Sequence, residues 1–169
     1  ITDLAPRALG GALLWASLDN NLISTMSGSA FEDTDRLWGI SVAHNNISAV
    51  EGVFPRSLRS LVLRDNRIRA MRPGVLAKGL RALFLDENGM QTLETGAFDG
   101  FPRLEYVWMG GNEIDCSSAR DALPSGTSGA GCIEARCTAP RGLAFWVGDG
   151  YCADYLTTPE CGCDGGDCR

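Results

Sequence analysis

One histidine, His44, is all the imidazole this chain holds, so a zinc site built on mixed histidine and cysteine ligands has little to draw on. A basic surplus is missing too. Fifteen Lys and Arg stand against 21 Asp and Glu, a formal net charge of −6, whereas nucleic-acid binding depends on clustered positive charge. No apolar run approaches the roughly 20 residues that cross a bilayer, and no charged-then-apolar leader precedes Ile1. If the protein is secreted, a processed form or a fragment is expected. No nucleophile stands beside a base in a known motif and no glycine-rich phosphate loop opens a helix, so the chain reads as non-enzymatic. His44, beside Asn45, reads as an ordinary surface residue.

What is present is apolar content and cysteine. Hydrophobic residues make up 44% of 169, enough for one continuous core, or a solenoid with a small appended module. Seven cysteines, five of them between Cys137 and Cys168, imply an oxidising compartment or a metal site.

The apolar residues recur at fixed spacing. Leu58, Leu61, Leu63, Asn66 and Ile68 are followed by Leu80, Leu83, Leu85, Asn88 and Met90, then by Leu104, Val107, Met109, Asn112 and Ile114. Earlier copies hold Leu37, Ile40, Val42, Asn45 and Ile47, and before them Leu13, Ala16, Leu18, Asn21 and Ile23. Successive asparagines are 24, 21, 22 and 24 residues apart. This phrase, Leu-x-x-Leu-x-Leu-x-x-Asn-x-Leu, resembles the leucine-rich repeat, whose period is roughly 20–29 residues. The resemblance implies an α/β-type solenoid of short parallel strands with an irregular convex side, about five repeats over residues 1–115. Ile1 to Leu13 repeats the spacing of Ile68 to Leu80, so the chain is expected to open in mid-repeat. Each asparagine follows its strand at a bend, where its amide can satisfy backbone groups that burial would otherwise leave unpaired. Phe31, Phe54, Leu76 and Phe98 add one large side chain per return segment and predict a second buried spine.

Residues 116–136 break the period and are rich in Ser, Gly and Ala, which reads as a cap or linker. Cys116 lies two residues after Ile114, and Cys132 is its nearest candidate partner. Residues 137–169 hold too little apolar surface for an ordinary core and need covalent or metallic support. Asp149, Asp164 and Asp167 sit on tight glycine turns and offer hard oxygen ligands of the kind calcium takes. Gly148 to Cys152 and Asp164 to Cys168 resemble the Notch-type cysteine repeat, a small disulfide-bonded calcium module. That resemblance implies Ca2+ held by Asp149, Asp164 and Asp167 with backbone carbonyls. It departs from the family at Leu156, Thr157 and Cys163, which stand where a cysteine, an asparagine and a tryptophan are usual. One family bridge is then lost, and the two implied to survive are Cys137 with Cys161 and Cys152 with Cys168. Cys116 with Cys132 is the third expected pair, the rival being Cys132 with Cys163. Cys163 is the candidate free or intermolecular thiol.

Outward strand positions of such a solenoid face a concave surface suited to partners. Trp15, Arg64, Phe84, Tyr106 and Trp108 fall there, with the last three aromatics gathered toward the C-terminal end. Asn46-Ile47-Ser48 is a glycosylation sequon on a bend. The expected function is extracellular or cell-surface recognition or adhesion, binding a protein or glycan without catalysis, nucleic acid or a membrane span. The alternative is a structural subunit of an extracellular fibre or coat, joined through chain ends and Cys163. For the calcium assignment, EDTA is expected to lower the melting temperature of the C-terminal module. An unchanged melt, with Asp164→Asn and Asp167→Asn equally silent, removes it.

Overall fold

A computed structural model of the chain describes residues 1–72, 75, 77–114 and 122. Leu76, all seven cysteines, Asp149, Asp164 and Asp167 lie outside the described residues, as do the 137–169 module and the expected cap apart from Ala122.

Each apolar phrase forms one coil, and each coil contributes three residues of strand to a single sheet. β1 (Trp15–Ser17), β3 (Gly39–Ser41), β5 (Ser60–Val62), β6 (Ala82–Phe84) and β7 (Tyr106–Trp108) pair in parallel in that order, with β2 (Thr25–Ser27) and β4 (Ala49–Glu51) forming a second parallel pair. Because side chains alternate along a strand, one central residue per strand points inward. Register stacks Ala16, Ile40, Leu61, Leu83 and Val107 in a row, and all five are buried in one hydrophobic cluster. Full burial of a large aliphatic or phenyl group contributes about 1.5–3 kcal/mol, so the row and its flanking leucines dominate the stability.

The second spine forms as predicted where it is described. Phe31, Phe54 and Phe98 are buried, and the rings of Phe31 and Phe54 stack at 6.2 Å. Gly28 lets the coils approach, since a Cβ there would run into the Val53 carbonyl. The α/β label is corrected. Among the described residues of 1–114 the return segments hold one 3-10 turn, Gly28–Phe31, with strand and irregular chain elsewhere. Returns this short, broken by Pro55 and Gly96, are poor helix nuclei. Two expected inward residues, Leu13 and Leu18, are only half-buried, because their coil is stacked on one side alone among the described residues.

The asparagines close the bend of every coil. Asn45, Asn66 and Asn88 donate from Nδ2 to carbonyls of their own coil and of the preceding one. Their Oδ1 atoms accept the backbone N–H of Ile23, Ile47 and Ile68, and Asn112 accepts those of Asn88 and Met90. The carbonyls of Leu18, Val42, Leu63 and Leu85 each receive two of these amides, which uses both lone pairs. The residue before each ladder asparagine is left-handed, with φ of 57° at Asn20, 56° at His44, 49° at Asp65, 56° at Glu87 and 71° at Gly111.

Asn66→Ala is expected to cost about 2–4 kcal/mol, because it orphans the buried Ile47 N–H and strips a donor from the carbonyls of Val42, Leu63 and Arg64. Asn66→Asp should be no better at neutral pH, since it faces those carbonyls with an acceptor. Asn46→Ala is the control and should stay within about 0.5 kcal/mol, all three compared by urea denaturation.

Candidate functional site

The residues on either side of each inward strand position point away from the core, and on β6 and β7 they are Ala82, Phe84, Tyr106 and Trp108. Parallel register sets Phe84 opposite Trp108 and Ala82 opposite Tyr106. The small Ala82 leaves room for the Phe84 and Tyr106 rings to meet, at 5.6 Å between centroids and tilted by 50°, the edge-biased geometry aromatic pairs prefer. With Val62, Arg64, Asp86 and Trp108 they line a depression of about 400 Å3 on the concave face. All three aromatic rings are half-exposed.

Asp86 lies at the base of this depression with only 9% of its side chain exposed. The Arg64 Nε lies 3.1 Å from its Oδ2, while Nη2 of the same guanidinium, 3.0 Å from Glu87 Oε1, is drawn sideways. Desolvation by burial is the largest influence on Asp86 and pushes its pKa above the ordinary carboxylate value, against its own backbone N–H and Arg64. Burial, seconded by the Asp86 charge, pushes the Tyr106 phenol up as well.

The structure brings together four of the five residues expected on the binding face, Arg64, Phe84, Tyr106 and Trp108. Trp15 occupies an outward position of the same sheet but stands apart from them, on β1 at the other edge, lying over Gly39, where a Cβ would collide with its ring. Its centroid is 5.0 Å from that of Trp38, a residue sequence reasoning missed, although Gly39 in register with Trp15 was a signal that a ring must cover that position. Gly39, Ser41, Ala43, Asp86 and Gly110 fall at outward positions of the same alternation and yet are buried. Around Trp15 the polar groups are satisfied internally: Asp19 Oδ1 accepts from Ser41 Oγ at 2.6 Å and from the Ala43 N–H at 2.7 Å.

His44 is exposed, as expected, but its Nδ1 lies 2.7 Å from Asp65 Oδ2 on the next coil. Asn46 of the sequon is half-buried and its backbone N–H donates to the Ile23 carbonyl, while Ser48 is exposed. No helix among the described residues is long and apolar enough to cross a membrane.

Asp86 makes stability depend on pH with a definite sign. Its folded pKa is raised, so its stabilising contribution is complete below the unfolded value of about 3.9 and is lost as pH rises through the folded pKa. Asp86→Asn should therefore flatten the fall in melting temperature above about pH 4 and melt at least as high as wild type at pH 7. A wild-type melt that rises through that window relative to Asp86→Asn would contradict this.

The leucine rich repeat family profile matches residues 56–114, the three coils whose phrase is most complete. Fibromodulin of Oryctolagus cuniculus is 35% identical over 112 residues, covering 64% of this chain and 75% of that protein. Fibromodulin of Sus scrofa is 34% identical over the same length and coverage. Nephrocan of Mus musculus is 30% identical over 130 residues, and the chain spans only 25% of its length. Among solved structures the TLR13–ssRNA13 complex superposes with a TM-score of 0.66 at 21% identity, covering 79% of this chain and 21% of that one, which speaks for the fold alone. Nephrocan and fibromodulin are secreted extracellular proteins. With five coils in one parallel stack, an asparagine at every bend, and a relative matched over three quarters of its length, the chain belongs to the leucine-rich repeat family.

Proposed function

We propose that the chain is a non-catalytic, extracellular recognition module that binds a protein through the C-terminal half of its concave face. One observation carries this reading: Phe84, Tyr106 and Trp108 stand half-exposed and adjacent on paired parallel strands of one sheet. Aromatic anchors on a rigid surface supply contact area at small entropic cost and are enriched at the energetic centres of interfaces. The acidic balance of the chain speaks against a polyphosphate ligand, and the likeness to fibromodulin and nephrocan supports a binding role outside the cell.

Two further assignments belong to the same proposal. Asn46 would carry a glycan at the asparagine edge of the sheet, clear of the aromatic depression, and the exposed Ser48 fits an accessible sequon. The 137–169 segment would be a module folded by disulfides and by calcium at Asp149, Asp164 and Asp167, serving to support the chain end rather than to signal.

Screening the full chain against arrays of extracellular proteins and glycans tests the reading. A wild-type ligand should be lost on Trp108→Ala and weakened on Tyr106→Ala, with melting changed by less than about 1 kcal/mol since both side chains are half-exposed. A ligand indifferent to both substitutions would refute the concave site.

A further inference from the structure

We infer that the depression lined by Val62, Arg64, Phe84, Tyr106 and Trp108 seats a basic side chain, lysine or arginine, offered by the protein partner, with Asp86, shared with Arg64, as its counter-ion. The inference rests on the concave-face reading and adds the chemistry of what is recognised.

The geometry is that of a cation site. Three aromatic rings wall the depression and a carboxylate lies at its base, nine-tenths hidden from water. Apart from Arg64 and its own backbone N–H, no hydrogen-bond donor reaches that carboxylate among the described residues. Arg64 serves it incompletely, because the guanidinium is half-exposed and divided between Asp86 and Glu87. Desolvation accordingly remains the largest influence on Asp86.

Any partner that covers the depression removes the water left to Asp86. A neutral ligand such as a sugar would deepen that desolvation and return only a hydroxyl hydrogen bond, whereas an ammonium or guanidinium returns opposite charge. The aromatic faces favour the same choice, since their quadrupoles attract cations and strengthen as water is excluded. The surrounding charges agree. Asp65 and Glu87 add their negative charge close to Asp86, against Arg64 and a His44 already engaged with Asp65. A basic group is steered toward such a site and an acidic one repelled.

Two probes of matched shape decide it: Nα-acetyl-arginine amide and its uncharged counterpart, Nα-acetyl-citrulline amide, titrated into the full chain while the Trp108 indole N–H is followed by NMR. The arginine probe should shift that resonance saturably and bind roughly tenfold or more tightly than the citrulline probe. Asp86→Asn should bring the two probes level while leaving the Trp15 and Trp38 resonances in place and melting no lower than wild type. Equal binding of both probes, no binding of the arginine probe, or full arginine binding to Asp86→Asn overturns the inference. The protein ligand from the array screen separates this failure from that of the broader reading. Loss on Trp108→Ala with full binding by Asp86→Asn removes the basic side chain and keeps the concave site. Full binding by both variants removes both.

Discussion

The double hydrogen bonding of the asparagine amides is the constraint on which the stack depends. A coil of 21 to 24 residues must turn sharply at the end of a three-residue strand, and the turn leaves backbone carbonyls inside the protein with no strand to receive them. The ladder asparagines supply those partners one coil at a time: Leu18, Val42, Leu63 and Leu85 each give their carbonyl to two successive amides. A buried unpaired carbonyl or amide costs about 1–3 kcal/mol, so each asparagine ties the fold of its coil to that of the coil before. The left-handed residue preceding it at every bend is the backbone consequence of the same tight turn.

The leucine rows and the phenylalanine spine fill the space this backbone encloses. They determine how far apart the sheet and the return segments sit, and glycine determines how close they come: Gly28 under Val53 on the return side, Gly39 under Trp15 on the sheet. Cooperative stacking of this kind leaves the concave sheet with little freedom to deform, because each strand bonds to its neighbours on one or both sides and Ile40, Leu61 and Leu83 each pack between two others of the inward row. A stiff surface is a suitable base for recognition by side chains that reorganise little on binding.

On that surface the repeat is broken by chemistry. The outward positions of β3 and β5 are small or modest, Gly39, Ser41, Ser60 and Val62, while those of β6 and β7 include Phe84, Tyr106 and Trp108. Residue size therefore sets an aromatic depression that includes the Asp86 carboxylate apart from the smaller residues of the central strands. The other tryptophans among the described residues, Trp15 and Trp38, make a separate pair at the far edge. Family membership accounts for the sheet and says nothing about this division, which is particular to the chain.

By itself the sequence determined the coil: its length, its inward residues, its asparagine bends and its phenylalanine spine follow from periodicity, since a short strand admits one alternation and a repeat admits one register. It also placed Phe84, Tyr106 and Trp108 on one face. Only the tertiary structure decided which outward positions are open. Ser41 and Asp86 share the alternation of exposed residues yet are covered, Gly39 lies beneath a ring from the coil before, and Trp38 pairs with a tryptophan 23 positions away. Coverage of this sort depends on the volumes of side chains in adjacent coils and on the reach of an arginine between two acids, neither of which a period along the chain encodes.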